Sequence, residues 1–203
     1  MFSNFVWTLP SEESVIYLTF DDGPIPEVTP WVLDLLDEYD AKASFFCVGE
    51  NIDRYPHIFL DIKSRLHTIG NHTYNHLSGW GHDNATYLRN VRKGAIASGS
   101  RLFRPPYGRI KPSQMRILKS HYKVVMWDVL SGDFDPILSQ EACLENVLKN
   151  TMNGSIIVFH DSLKSQTKLR YVLPRVLDYY SRRGFRFAAL DSALDAQAVL
   201  IAK

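Results

Sequence analysis

Residues 15–24 read VIYLTFDDGP, an apolar run that ends in two adjacent carboxylates and a turn. The run from Val15 to Phe20 lacks strict alternation of polar and apolar residues, which is typical of a strand buried on both faces of a parallel sheet. Asp-Asp-Gly-Pro is common turn chemistry, so Asp21 and Asp22 are predicted to lie where this strand ends. The stretch therefore predicts a parallel sheet with charged groups at the carboxyl end of one strand.

The same arrangement recurs along the chain, where short β-rich runs are separated by segments of helical periodicity. In residues 28–39, for example, Val32, Leu35, Leu36 and Tyr39 repeat at helical spacing. About seven such units predict a small (β/α) barrel, with a doubly wound open sheet as the alternative. The further predicted strands are residues 43–48, 67–70, 101–104, 123–128, 155–160 and 185–190, and the further predicted helices are residues 56–66, 112–120, 139–150 and 169–183.

Ionisable side chains follow several of the predicted strands. The carboxyl ends of parallel strands share one face of a β/α fold, and active sites lie on that face. These side chains are therefore predicted to gather at one site. They are Asp21 and Asp22, His72, Arg104, Asp128, and His160 with Asp161.

Length and composition predict one soluble globular domain that spans residues 1–203. Lys plus Arg total 23 and Asp plus Glu total 22, so a net charge of +1 argues against a nucleic-acid binder or a membrane-surface protein. The apolar runs are far shorter than the roughly 18 residues of a membrane span. Cys47 and Cys143 are too few for a disulfide framework. No secretory signal is visible near the N-terminus, which predicts a cytoplasmic protein.

The segment 72–76, HTYNH, carries His72 and His76 four positions apart. On a helical turn they would share one face and could hold a metal ion, although two histidines in a polar surface loop are the commoner outcome. With one of the two aspartates after the first strand they would form a two-His, one-Asp site for Zn²⁺, or for Co²⁺, Ni²⁺ or Fe²⁺. Thr73 replaces the glutamate base of HExxH metalloproteases, so a base must come from elsewhere, and Asp21 is available.

Two further segments offer polar groups, each with a structural alternative. RPPYG at residues 104–108 is a proline-fixed turn in which Arg104 could hold a carboxylate bidentately and a backbone N–H could face an oxyanion. It could also be only a barrel loop. FHD at residues 159–161 places His160 after an apolar strand, where it could donate a proton or simply be a buried core histidine.

Five segments in a fixed order resemble the five motifs of the polysaccharide deacetylases (NodB-homology domain, carbohydrate esterase family 4). They are TFDDGP at 19–24, HTYNH at 72–76, RPPYG at 104–108, WDVLSGDF at 127–134 and IIVFHD at 156–161. The resemblance extends over residues 15–190 and implies a distorted (β/α)7 barrel, TIM-like and in a single domain. It also implies metal-dependent hydrolysis of the acetamide of N-acetylated sugars to acetate and a free amine.

The resemblance implies a role for each of eight residues. Asp22, His72 and His76 would bind the metal. Asp21 would be the base, and Arg104 would orient it. The backbone N–H of Tyr107 would line the oxyanion hole, and His160 would be the general acid with Asp133 as its carboxylate partner. Asp133 is followed by Phe134 where the family usually carries tryptophan, so one wall of the acetyl or sugar pocket is altered.

The expected partner is an acetylated carbohydrate of the chitooligosaccharide or peptidoglycan type. Two alternatives stay open: an O-acetyl esterase or small-amide hydrolase on the same scaffold, and a catalytically silent sugar-binding module. The second is disfavoured because candidate ligands, base and acid are all present. The polymer, the native metal, with Zn²⁺ expected, and the oligomeric state are not determined by the sequence.

Overall fold

A computed structural model of the chain describes residues 5–190. In this part of the chain short strands alternate with helices, as the sequence predicts. The strands are β1 (Phe5–Val6), β2 (Val15–Asp21), β3 (Ser44–Cys47), β4 (Thr68–Asn71), β5 (Leu102–Phe103), β6 (Lys123–Val125), β7 (Val129–Leu130), β8 (Ile156–His160) and β9 (Arg186–Phe187). The α-helices are α1 (Thr29–Glu38), α2 (Gly49–Arg54), α3 (Pro56–Ser64), α4 (Asn84–Ser98), α5 (Pro112–Leu118), α6 (Gln140–Asn150) and α7 (Gln166–Ser181).

The strands form one curled parallel sheet in the order β1-β6-β5-β4-β3-β2-β8-β7, and β9 pairs with the start of β2. The N-terminal segment brings the two sides of this sheet together. On one side β1 lies beside β6, and on the other Thr8 forms an antiparallel bridge with Ser155, just before β8. The sheet therefore curls into an incomplete barrel, and the parallel barrel architecture predicted from the sequence is confirmed.

The central strand β2 positions the strand-end carboxylates. All of its residues are buried, and it pairs with β3 on one side and with β8 on the other. Phe20 stacks on Phe45 of β3 with the ring centroids 5.0 Å apart. Truncating a buried aromatic ring of this kind typically costs about 3–5 kcal/mol. Because β2 and β8 run in parallel register, Asp21 lies directly beside His160 at the carboxyl end of the sheet.

The strand predicted at residues 123–128 ends at Val125 as β6, and β7 begins only at Val129, so Asp128 lies in the connection between them. The Asp128 carboxylate accepts hydrogen bonds from the Ser155 hydroxyl and the Ile156 amide, each at 2.7 Å. Ile156 begins β8, whereas His160 ends it. Asp128 therefore lies toward the amino end of β8, and the prediction that it joins the strand-end site is wrong.

Helix α4 was not predicted, although it is 15 residues long. It begins after Asp83, whose carboxylate accepts a hydrogen bond from the Thr86 amide at 3.0 Å, and it ends at Gly99 with a left-handed φ of 67°. Few of its side chains are buried, Tyr87 and Val91 among them, so the sequence carries only a weak helical pattern. None of the described helices has the length and apolar character needed to cross a membrane.

Candidate active site

Asp21 and Asp22 are adjacent in the chain, but their carboxylates contact different partners. Asp21 is buried at the end of β2, and its Oδ1 lies 2.7 Å from Nη1 of Arg104. Asp22 has a φ of 85°, in the left-handed region that aspartate enters more readily than most non-glycine residues. Its Oδ1 lies 3.1 Å from Nε2 of His76. The turn thus separates the two carboxylates, as two distinct chemical roles require.

Asp22, His72 and His76 form a candidate metal centre, in which one ligand atom from each residue lies within 4.8 Å of the other two. Nδ1 of His72 lies 2.8 Å from the carbonyl oxygen of Arg104, so Nδ1 donates and Nε2 keeps its lone pair. The buried Oδ1 of Asp22 makes no hydrogen bond of good geometry with a described residue, although Nε2 of His76 is 3.1 Å away. A carboxylate oxygen and two imidazole nitrogens in this arrangement fit a divalent ion.

The segment that carries the two histidines is a loop, so the prediction of a helical turn is wrong. Thr73 and His76 have left-handed φ values of 63° and 55°. The Thr73 hydroxyl accepts a hydrogen bond from the Leu77 amide at 3.0 Å, and the Tyr74 amide donates to Oδ1 of Asn90 on α4 at 2.8 Å. The two imidazole rings nevertheless converge, with centroids 5.0 Å apart. The loop and its attachment to α4 therefore position the ligands.

Burial and local charge set the protonation states at this centre. Burial alone would raise the pKa of Asp22, but the adjacent His76 and the charge of His160 hold that pKa well below its usual range. Burial is the largest effect on His72 and lowers its pKa to about 4, against the charge of Asp21. At neutral pH the carboxylate is ionised and the imidazole is neutral, which are the states in which these groups bind a metal.

Arg104 is fully buried and anchors Asp21. Its Nη1 donates to Oδ1 of Asp21 and to the Thr19 hydroxyl, each at 2.7 Å, and its Nη2 donates to the Met126 carbonyl oxygen at 2.8 Å. The prediction of a bidentate contact is therefore wrong, because one nitrogen holds one carboxylate oxygen. The other oxygen, Oδ2 of Asp21, lies 3.8 Å from Nε2 of His72.

His160, the last residue of β8, is paired with Asp133. Nδ1 of His160 lies 2.7 Å from Oδ1 of Asp133, and the His160 amide donates to Oδ2 at 2.7 Å. Burial alone would lower the pKa of His160, but the hydrogen bond and charge of Asp133 outweigh it and raise the pKa to about 9. His160 therefore carries a proton at neutral pH, as a general acid must. The Phe134 ring meets the imidazole edge to face at 5.0 Å.

The RPPYG segment forms a tight turn beside the metal centre. Tyr107 has a φ of 60°, and the Gly108 amide donates to the Pro105 carbonyl oxygen at 3.0 Å. The Tyr107 ring is 61% exposed and lies 4.7 Å from the His76 ring. The turn is thus placed at the mouth of the site, and the role of the Tyr107 N–H in an oxyanion hole stays a prediction.

A cavity of about 240 Å³ at the carboxyl end of the strands joins these groups. Of the residues singled out in the sequence, the cavity is lined by Asp21, Asp22, His72, His76, Tyr107, Phe134 and His160. Arg104 and Asp133 lie behind it and hold Asp21 and His160.

Sequence reasoning missed five lining residues, Arg109, Trp127, Leu130, Val158 and Lys164. Trp127 and Leu130 lie within the WDVLSGDF segment, which could have signalled them. No pattern marks Lys164, whose Nζ is 3.5 Å from Oδ2 of Asp22.

Asp161 does not line the cavity but supports the turn after β2. Its carboxylate accepts hydrogen bonds from the Gly23 amide at 3.0 Å and from the Thr29 hydroxyl at 2.6 Å. A Cβ atom on Gly23 would lie 2.0 Å from Oδ2 of Asp161. Burial raises the pKa of Asp161 to about 8. The prediction that this residue joins the strand-end site is therefore wrong, and its function in the fold is structural.

Comparison with known proteins connects this geometry to one family. The family model described as polysaccharide deacetylase matches residues 8–124, more than half of the 203-residue chain. The chain belongs to the polysaccharide deacetylase family. The first three of its five motifs lie within the matched residues, and the last two follow them. Deacetylases of this family depend on a metal, and the Asp22, His72 and His76 cluster is the candidate site for it.

Relatives of known name match nearly the whole chain. The peptidoglycan-N-acetylglucosamine deacetylase of Bacillus cereus is 32% identical over 198 residues, 93% of this chain and 92% of the relative. The chitooligosaccharide deacetylase of Azorhizobium caulinodans is 32% identical over 90% of this chain and 95% of its own. The crystal structure of the Bc1960 peptidoglycan N-acetylglucosamine deacetylase has a TM-score of 0.81 and 31% identity, and the match covers 94% of this chain and 92% of that one. The family resemblance and the barrel fold are thereby confirmed.

Proposed function

We propose that this polysaccharide deacetylase family member hydrolyses the acetamide of N-acetylated carbohydrates, such as chitooligosaccharides or peptidoglycan strands, to acetate and a free amine. The observation that carries the proposal is the grouping around one cavity of three chemical elements. They are a candidate metal centre, a carboxylate held through one of its oxygens, and a histidine paired with a buried carboxylate. The names of the two curated relatives described above support the substrate class.

The metal proposed for this centre is Zn²⁺, held by Asp22, His72 and His76. Two imidazoles and one carboxylate suit zinc, and Co²⁺, Ni²⁺ and Fe²⁺ accept the same donors. When bound, the ion supplies Lewis-acid activation of water and of the acetamide carbonyl group. The hydrogen bond from His72 to the Arg104 carbonyl oxygen orients the ring for this task.

Asp21 is the proposed general base. Arg104 occupies Oδ1 of Asp21, so Oδ2, on the side of His72, is the oxygen that accepts the proton of the attacking water. The buried guanidinium fixes the carboxylate through contacts to the side chain of Thr19 and to the backbone. A base held in this way loses little orientational freedom when the reaction proceeds.

His160 is the proposed general acid. Its Nδ1 is bound to Asp133, so the proton that is transferred resides on Nε2. Transfer of this proton to the departing nitrogen allows the amine to leave, because an amide anion is a very poor leaving group. The backbone N–H of Tyr107 is proposed to stabilise the oxyanion of the tetrahedral intermediate.

The test is acetate release by the metal-loaded protein from chitin oligomers, peptidoglycan, acetylated xylan and simple acetamides. Release from an N-acetylated glycan, absent in a matched Asp21→Asn variant, is the expected result. Release from acetylated xylan alone would instead identify an O-acetyl esterase. Oligosaccharide binding by a metal-loaded protein that releases no acetate from any substrate would identify a silent sugar-binding module.

A further inference from the structure

A second groove lies at the opposite end of the strands from the catalytic cavity. It consists of two adjoining cavities of about 750 and 850 Å³ that share residues 99–101. Thr68, Leu102 and Lys123, the first residues of β4, β5 and β6, line the second of these cavities. We call this surface the amino-end groove. None of its lining residues belongs to the proposed catalytic machinery.

Cationic side chains dominate the walls of the amino-end groove. None of the described residues that line it is Asp or Glu. The chain as a whole has a net charge of +1, so the groove is a local concentration of cations on one face of a nearly neutral protein. The cationic lining residues are Lys42, Lys63, Arg92, Arg101, Lys123 and Arg186.

Part of this positive charge has no anionic partner within the described chain. Arg186 is bound by Glu13 at 2.7 Å, and Lys42 lies 3.7 Å from Asp37, so the charge of each of these two cations is partly neutralised. Arg101 and Lys123, in contrast, make no ion pair with any described residue, and both side chains are exposed. A cluster of exposed, uncompensated cations creates a positive potential that attracts anionic ligands.

A buried hydrogen-bond donor lies in the same wall. His67 is 6% exposed, and its Nδ1 accepts a hydrogen bond from the Ala43 amide at 3.1 Å, so Nε2 carries the proton. Nε2 has no acceptor among the described residues. Burial, aided by the charge of Lys42, lowers the pKa of His67 to about 4, so the ring is neutral at physiological pH. Nε2 is itself shielded from solvent, so the exposed cations, and not this ring, are the groups that an anion in the groove can contact.

We propose that the amino-end groove binds a linear polyanion, a chain with repeated phosphate or carboxylate groups. Lys42 precedes β3, Arg101 precedes β5 and Lys123 begins β6, and β3 to β6 are consecutive neighbours in the sheet. Neighbouring strands lie about 4.8 Å apart, so these cations extend over about 14 Å, more than one oxyanion can span. The bound polymer would hold the protein by this face and leave the catalytic cavity free.

Nucleic acid is the less suitable polyanion for this groove. Proteins that bind single strands without sequence preference stack bases on exposed aromatic side chains. The Phe, Tyr and Trp residues in the described lining are Tyr122, which is half-buried, and Phe187, which is buried. The groove therefore offers charge without a stacking surface, which suits a flexible polymer with anionic groups and no planar bases.

The test measures binding of the full-length, metal-loaded protein to fluorescein-labelled inorganic polyphosphate and, separately, to labelled poly-L-glutamate. Anisotropy titrations are made at about 50 mM and about 200 mM NaCl, since polyanion binding weakens steeply with salt. The double variant Arg101→Gln/Lys123→Gln should weaken binding about tenfold and reduce the salt dependence. The matched control Lys149→Gln/Arg182→Gln removes the same charge from exposed sites outside the groove and should change affinity less than about twofold.

Preference for one probe identifies the anionic group, and binding of either supports the proposal. Absence of wild-type binding at the lower salt would overturn it, as would equal weakening by the two double variants. Tighter binding of a labelled single-stranded DNA of equal charge would assign the groove to nucleic acid and also overturn it. Acetate release from a short substrate should be the same in both double variants as in the wild type, so the outcome is separate from that of the proposed hydrolysis.

Discussion

Arg101 and Arg104 flank the short strand β5, one at each end, and lie in opposite electrostatic environments. Arg104 is fully buried and is bound to Asp21 and to backbone carbonyl groups. Arg101 is exposed and has no ion pair among the described residues. A buried charge with fixed partners maintains one geometry, as catalysis requires, whereas an exposed charge contributes to a field that adapts to its ligand. Substitutions at the carboxyl end of the strands should therefore have large effects on activity and stability. Substitutions at the amino end should have small effects that depend on salt.

The largest effect is expected for the metal centre at the carboxyl end. His76→Ala should eliminate bound metal and with it acetate release, because one of three protein ligands is lost. Removing a group that merely supports a ligand already costs about 10–100-fold in metal affinity or activity. Elemental analysis of the purified variant, with circular dichroism as a check on folding, measures the result. Arg101→Gln is the matched control and should retain its metal; full metal content in His76→Ala would contradict the assigned centre.

Asp21→Asn should lower turnover by about 10²–10⁴-fold while the metal is retained, because the amide cannot accept the proton of the attacking water. Asp22→Asn should instead lose metal. Turnover and metal content are measured for both proteins. If Asp21→Asn were the variant that lost metal and Asp22→Asn the one that kept it, the roles of the two carboxylates would be exchanged.

His160→Ala should impair amide hydrolysis about 10²–10⁴-fold and ester hydrolysis much less, because an alkoxide leaves without the proton that an amine requires. The comparison uses an N-acetyl sugar and an activated acetate ester, with metal content checked in each protein. Equal proportional losses on the two substrates would mean that His160 positions the substrate or supports the metal.

The pH dependence of amide hydrolysis gives an independent test of the role of His160. The raised pKa of about 9 means that His160 holds its proton below that pH and loses it above. Amide hydrolysis should therefore decline as the pH rises toward 9. A bound metal cation would oppose the rise in this pKa, so the decline would then begin at a lower pH. Asp133→Asn removes the charge that raises the pKa, so the decline should begin at lower pH. An unchanged alkaline limb in Asp133→Asn would assign that limb to another group.

A smaller effect is expected at the wall of the cavity. Phe134→Trp adds an indole N–H and a larger ring beside His160, and should change KM or polymer preference by about two- to tenfold. Turnover should change little, because the ring contacts the acid without replacing it. Steady-state kinetics on two oligosaccharides separate the effects, and a large change in kcat at constant KM would place Phe134 in the chemical step.

The smallest effect is expected for stability at the amino end. Arg101→Gln/Lys123→Gln should change the free energy of unfolding by less than about 0.5 kcal/mol, because both side chains are exposed and unpaired. Arg104→Met, which leaves the buried Asp21 carboxylate without its partner, should cost about 3–5 kcal/mol. Urea unfolding of both proteins checks the contrast. Similar losses in the two variants would show that the amino-end cations have structural partners after all.

The sequence predicted the strands that are buried on both faces, because short apolar runs such as residues 15–20 and 155–160 have few alternative structures that would bury them. It did not predict α4, which buries only a narrow stripe and begins with polar residues. It also placed Asp128 at the active site, because the apolar residues after Val125 gave no sign that β6 ends there and not at Asp128. Elements defined by burial could thus be predicted from the sequence, whereas elements defined by helix caps and strand interruptions could not.

For the site, motif order identified the chemical groups but not their geometry. Thr73 and His76 adopt left-handed conformations without being glycine, so the spacing of the histidines suggested a helical turn that does not form. Arg104 has backbone acceptors that no side-chain pattern encodes, and they leave a single nitrogen for Asp21. Lys164 enters the cavity through the course of the loop after β8, which residue identities alone do not specify.

The contact between Gly23 and Asp161 joins the first and last motifs across 138 positions of sequence. Any side chain at position 23 would overlap the Asp161 carboxylate. A shorter residue at position 161 would leave the Gly23 amide and the Thr29 hydroxyl without their acceptor. The two positions are therefore an epistatic pair, in which neither can change first without damage to the turn that carries Asp21 and Asp22. Along an evolutionary lineage they should be replaced together or not at all.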